Sequence, residues 1–377
     1  MGIFMRLIAM VLIFSGLPLT GITQNLPEHY DSSPLPPPDT HSVFLSIDNA
    51  NFFKNNEYDN DYVAGYSRIG FFLNPAISWN VSDKTRLSGG VHLLKYAGEQ
   101  GFNKIKQLFY LHHVLSDGID LRMGSIKSTH HHNLIDPLYH YERFLDEHIE
   151  NGLQFLIDKP FVQADVWVNW KNFITRGDDL REVFETGISS DWPLYGKDQT
   201  LSMNLPFQLI FEHKGGQIDQ SGKPVSTLCN FATGPALKLK LPFRFLSSLE
   251  WKNLYVGYRD LSPGNIHEIK RGNGWFSSLL VNSHKKFQLQ CSWWKARQFL
   301  SFAGNPLYQV YSVRENRLIT QHRELFTGKL RYTKKYRDLH FMLNFDTYWS
   351  PQTHQLDYGF GIYLLLNTDV FLTKVRK

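Results

Sequence analysis

The densest set of groups able to do chemistry lies between His130 and Ile149, where His130, His131, His132, Asp136, His140, Glu142, Arg143, Asp146, Glu147 and His148 crowd together. Imidazoles and carboxylates at this density are the donors of a transition-metal shell. Three adjacent histidines cannot converge on one ion from an extended backbone, because neighbouring side chains point to opposite faces. No metal site and no cofactor are therefore expected. The remaining chemistry is electrostatic, since charged side chains brought into a pore narrow it and set its charge. Tyr139 to Ile149 has helical character, with Tyr141, Phe144, Leu145 and His148 near one face and Glu142, Asp146 and Glu150 near the other. Folded inward, the segment makes Asp136, His140, Glu142, Arg143, Asp146 and Glu147 candidates for a lumen constriction. Folded outward, it is a solvated loop.

A hydrolase would need a nucleophile beside a positioned histidine. Asn282-Ser283-His284 and Asp338-Leu339-His340 supply the residue types. Both fall in short turns between expected strands, away from the rim where an active site would sit. The chain has no Gly-x-Ser-x-Gly motif, no phosphate-cradling glycine loop and no Cys-x-x-Cys pair. An enzyme is not expected. Cys229 and Cys291 fall on strands read as three apart and are expected to be free thiols.

The elements that must position these groups announce themselves at the N-terminus. Arg6 precedes the apolar run Leu7 to Phe14, the layout of a secretory signal peptide. Cleavage after Thr23 makes 1–23 the signal and leaves a segment, 24–40, whose Pro27, Pro34, Pro36, Pro37 and Pro38 forbid helix or ladder. This is a linker or periplasmic tail. The rest, 41–377, contains no apolar stretch long enough to span a bilayer as a helix. Strands must then do the spanning, since a closed barrel is the other way to pair every backbone group in lipid. A mean hydropathy of −0.31 suits such strands, which are polar on alternate residues.

Period-two alternation dominates. Leu201, Met203, Leu205, Phe207, Leu209 and Phe211 share one face, and Leu237, Leu239 and Leu241 alternate with Lys238 and Lys240. In the segment Val162 to Lys171, Trp167 is the one large intruder on the polar face. Alternation alone fits a sandwich as well as a barrel. Gap lengths decide between them: sixteen strands are read from 41–54 to 356–375, with fourteen the alternative count, and short turns alternate strictly with longer loops. The expected fold is an all-β, transmembrane antiparallel β-barrel with both termini on the short-turn side. Lys238 and Lys240 join the lumen-lining candidates, while Leu237 and Leu239 meet lipid. Trp79, Tyr96, Trp170, Trp192, Tyr195, Tyr255, Tyr258, Trp275, Trp293, Trp294, Tyr348 and Trp349 are read as a headgroup belt. Pro75 and Pro206 lie inside strands and are each expected to force a bulge.

On its signal, its loop parity and its closing strand Leu356-Asp-Tyr-Gly-Phe-Gly-Ile-Tyr-Leu-Leu-Leu366, the chain resembles Gram-negative outer-membrane β-barrel proteins of porin-like kind. The last aromatic, Phe371, is followed by six further residues, a departure from the terminal aromatic usual in such barrels. The stretch His132 to Arg143, continued by Glu150 to Leu156, resembles a segment of uncharacterised members of the group and implies no activity. The resemblance implies residence in the outer membrane, with its lipid and the barrel assembly machinery as partners and room for a homo-oligomer. With a formal charge of +5 scattered along the chain, nucleic acid is not a partner. The function expected is a passive channel for small polar solutes. The alternative is a non-conducting barrel serving as a surface binding or assembly partner through loops such as Ser301–Arg323, with a barrel hydrolase behind both.

Overall fold

The computed structural model describes residues 40–127, 131–196, 199–264, 266–284 and 286–375. The expected signal peptide, the Pro-rich segment before Thr40, and His130 lie outside the described residues. Strands β1 (Ser42–Asp59), β2 (Ala64–Asn80), β3 (Thr85–Tyr96), β4 (Lys104–Ser116), β5 (Ile119–Lys127), β6 (Ile149–Lys159), β7 (Val162–Asn172), β8 (Val183–Tyr195) and β9 (Leu201–Lys214) follow in order. The tenth, β10, runs Ser226–Thr233 and resumes as Ala236–Lys240. Then come β11 (Leu246–Asp260), β12 (Arg271–Ser283), β13 (Phe287–Arg297), β14 (His322–Tyr336), β15 (Leu339–Ser350) and β16 (Gln355–Lys374). Each strand pairs antiparallel with its sequence neighbours, and β1 pairs with β16 from Ser42↔Lys374 to Glu57↔Tyr358, closing the sheet. Closure removes both free edges of the sheet.

Loop parity sets the polarity of the barrel. The connections after even-numbered strands are short, and those after odd-numbered strands include the long segments 128–148, 215–225 and 298–321. Short turns lie at the periplasmic end with the termini, and long loops at the extracellular end.

Residues that face one another across a ladder share a side. Leu239 stands opposite Leu201 and Leu249 on the outer wall, while Lys238 aligns with Ser202 and Glu250 on the inner one. The faces of this strand are those expected. The aromatic belt is partly different: Trp79, Trp170, Trp192, Trp275 and Trp349 are exposed outward, but Tyr258, Trp294 and Tyr348 are buried inside, and Tyr96 donates to the inward Leu145 carbonyl. Alternation by one residue separates Trp293 from Trp294, so position near a strand end does not decide the side.

Neither proline forces a bulge. The β2–β3 register is unchanged from Leu73↔Leu93 to Ala76↔Gly90, with the rungs at Asn74 and Pro75 missing. A Cβ on Gly90 would stand 2.2 Å from the Pro75 carbonyl oxygen, so the bare backbone lets the strands stay close where the proline donates nothing. Across from Pro206 it is β10 that breaks, at Gly234-Pro235. The Thr233 hydroxyl donates to the Pro206 carbonyl at 3.0 Å, and the register resumes unshifted.

The largest departure from expectation is inside. The inner flank is not wetted at mid-height: Leu254, Val256, Phe276, Trp294 and Leu325 form one buried apolar cluster with Leu138, Tyr139, Phe299, Leu307, Tyr308 and Val310 of the long loops. A second cluster joins Ala50, Phe52, Phe72, Leu94, Met342 and Leu365 to Phe144 and Leu145. Apolar loop residues with no other place to hide from water have filled the lumen.

Candidate functional site within the barrel lumen

Two extracellular loops build the plug. The first, from His131 to His148, turns through short 3-10 segments at His131–Asn133 and Tyr141–Leu145. That is one turn of helix where the sequence suggests a longer one. The second runs from Gln298 to Gln321 and is anchored by Trp294 Nε1 on the Tyr308 carbonyl at 2.8 Å and by Arg323 Nε on the Leu307 carbonyl at 2.8 Å. Its first half is therefore interior, contrary to the surface role expected for Ser301–Arg323. Its tip, Val313 to Arg317, is exposed. The loops lock to each other where Asn305 N donates to the Asp136 carbonyl (3.0 Å) and His140 N to the Ala303 carbonyl (2.8 Å).

At one side His132 is clamped between two wall carboxylates. Its Nδ1 lies 2.9 Å from Asp165 of β7 and its Nε2 3.0 Å from Glu150 of β6, and the ring lies flat on Trp167 at 3.6 Å. The buried Tyr139 hydroxyl donates to the other Glu150 oxygen at 2.7 Å. Burial alone would drive the imidazole towards neutrality. Asp165 and Glu150 override it and push its pKa up to about 10, so the ring is an imidazolium with both nitrogens donating. With no lone pair left it cannot serve as a general base.

The opposite side carries a lysine-centred cluster. Lys54 of β1, fully buried, sits 3.0 Å from Asp346 of β15 and 3.4 Å from Glu142, and donates to the Tyr141 hydroxyl at 3.0 Å. Tyr141 donates in turn to Asp346, and Tyr66 and Asn56 both donate to Glu142. Burial disfavours the Glu142 carboxylate, yet Lys54, His140 and the Tyr66 hydroxyl hold its pKa well below the usual range. Gly359 makes the room, for a Cβ there would lie 2.2 Å from Asn56 Oδ1 and 3.0 Å from Lys54 Nζ.

Asp136 accepts from Lys329 of β14 at 2.7 Å and from Asn305 at 3.1 Å. Against the upward push of burial, Lys329 and His140 keep its pKa below that of a free carboxylate. Arg143 spans Glu185 of β8 (2.9 Å) and Glu147 (2.7 Å), with Lys171 2.9 Å from the other Glu185 oxygen. Asp146 accepts from Arg68 at 2.8 Å.

Of the residues singled out from the sequence, Asp136, His140, Glu142, Arg143, Asp146 and Glu147 are all in the plug, each tied to the wall or to its neighbours. Lys238 and Lys240 are elsewhere, at the periplasmic end of β10 and exposed, because the strand carries them below the level the loops reach. The wall partners of the plug residues were not legible, although Trp167 had stood out as a large residue on the polar face. Among the described residues no group of three or more His, Cys, Asp or Glu is placed to hold a metal.

The closed antiparallel wall, the apolar outer face and the loop parity define an outer-membrane β-barrel. The chain belongs to the lipid A 3'-O-deacylase-type family, whose model matches residues 35–375. Two solved structures share the fold. OprD from Pseudomonas aeruginosa aligns with a TM-score of 0.52 at 6% identity, covering 89% of this chain and 96% of its own. The loop L8 deletion mutant of OmpT, an outer membrane protein of Vibrio cholerae, aligns at 0.52 and 10% identity, covering 87% and 100%. No curated protein matches the chain in sequence.

Proposed function

We propose that the protein is a closed barrel that works as a surface binding or assembly partner, and not as an open passive channel. The observation that supports the closed state is the way the first loop reaches the wall on opposite sides at once. His132 is bound to β6 and β7, Lys54 and Asp346 hold Tyr141 from β1 and β15, and Arg143 is bound to β8. A sixteen-stranded barrel is wide enough for water unless something fills it, and here buried side chains do. The expected result is an absence of steady conductance from refolded protein in a planar bilayer. Steady open-pore currents would restore the porin-like reading, with Asp136, Glu142 and Arg143 as its constriction.

The family's description favours a second reading, hydrolysis of an acyl ester on lipid A. At the extracellular end the outer wall supplies a hydroxyl–imidazole contact, Thr227 Oγ1 to His213 Nδ1 at 2.8 Å. A histidine so placed could take a proton from an attacking hydroxyl or water. Mass spectrometry of lipid A incubated with the barrel in mixed micelles tests it: loss of one acyl chain that His213→Ala abolishes supports the reading, and an unchanged lipid mass removes it.

A further inference from the structure

Polar side chains are scattered over the outer wall, and two of them stand side by side on β1. Asn49 and Asn51 face outward near the middle of the 18-residue β1, in rows with Leu73 and Leu366 and with Phe71 and Leu364. Asn51 Nδ2 donates to Asn49 Oδ1 at 2.7 Å, and Asn49 Nδ2 donates to the Phe72 carbonyl at 2.7 Å. Asn51 Oδ1 accepts no hydrogen bond among the described residues. Polar groups at this depth are costly against acyl chains, which offer neither donor nor acceptor. Beside Asn51 a groove of about 520 Å³ opens between Phe53, Ile69, Phe71, Lys95 and Ile362.

Two charges flank this face at its extracellular end. Lys95 of β3 is turned to loop carbonyls, with Gly101 O at 2.6 Å, and has no carboxylate partner among the described residues. Glu57 of β1 is exposed and, among the described residues, accepts only from Asn55 Nδ2, at 2.7 Å. We propose that this face, from β16 through β3, is the seam on which a second copy of the chain docks about a two-fold axis normal to the membrane. A two-fold axis in front of β1 and β2 sets Lys95 of each copy towards Glu57 of the other, the reciprocal pairing of an isologous contact. It also sets carboxamide against carboxamide, and an asparagine supplies both the donor that Asn51 Oδ1 lacks and an acceptor in return. Interhelical seams in lipid use polar side chains in the same way. The occupant is thus self-complementary, which an acyl chain is not.

Charge exchange on the full-length barrel in detergent tests the seam, with mass read by native mass spectrometry and folding by heat-modifiable mobility. Wild type is expected as a dimer. Glu57→Lys and Lys95→Glu singly set like charges together and weaken dimerisation by about tenfold or more, and the two combined restore it. Asn51→Leu weakens it while leaving mobility unchanged, and Leu289→Ala on β13 leaves the dimer intact. A monomeric wild type at all concentrations overturns the proposal. So does a monomer that retains a bound lipid lost on Asn51→Leu, which assigns the face to lipid. Neither outcome bears on conductance, so the closed-lumen reading stands or falls separately.

Discussion

Replacing His132 with alanine removes the one cation between Asp165 and Glu150 and the ring that covers Trp167. Breaking a buried ion pair by deleting one partner costs about 3–5 kcal/mol, because the remaining charge stays desolvated. The lost ring stack adds about 0.5–1.5 kcal/mol. Together about 3.5–6.5 kcal/mol comes off the docked state of the first loop, enough to populate an undocked one. The expected phenotype of His132→Ala is intermittent channel opening in a planar bilayer, with heat-modifiable mobility retained because no rung of the wall is touched. Combining it with Asp165→Asn and Glu150→Gln removes the stranded charges and should recover most of the loss. A variant as electrically silent as wild type, with unchanged urea stability, would refute the claim that this clamp holds the plug.

Other consequences can be measured alongside. The His132 pKa rises from 6.5 to about 10 on folding, so its contribution is fully present below pH 6.5 and disappears as pH climbs through about 10. Bilayer recordings should show opening on the alkaline side of that window. Glu142 is shifted the other way, so its contribution holds above its ordinary value of 4.5 and is lost as pH falls; recordings stepped below pH 4.5 should show a second, acid-side opening. Lys54→Met strands Glu142 and Asp346 and should cost about 3–5 kcal/mol in urea unfolding, with Asp346→Asn plus Glu142→Gln as the compensating background. Outward Leu279 pairs with Trp251 and Cys291 on the wall, and Leu279→Arg should destabilise folding into bilayers by about 2–4 kcal/mol. Lys240→Glu, at the exposed periplasmic end, should leave the same folding titration within about 0.5 kcal/mol of wild type.

The wall was legible because lipid enforces it. Alternation and loop parity follow from one outer face wetted by acyl chains and from the need to pair every backbone group, so the sixteen strands and the Leu239 and Lys238 faces could be read directly. The plug was legible only as composition. The polar density of His130–Ile149 marked where it would be, but each of its partners, Lys54, Asp165, Glu185, Lys329 and Asp346, comes from a different strand, brought near by closure of the cylinder. Such residues look the same as lumen residues facing water. The inward Trp167 was the visible sign that something flat and buried had to meet it. The apolar run Phe299 to Val310 carried a similar sign for the second loop, where length had suggested a surface role.

Current through single refolded barrels, wild type against a variant lacking residues 134–146, tests the closed lumen most directly. Silence from the wild type and steady opening from the deletion are predicted. Equal, steady conduction by both would mean that the loop does not close the barrel.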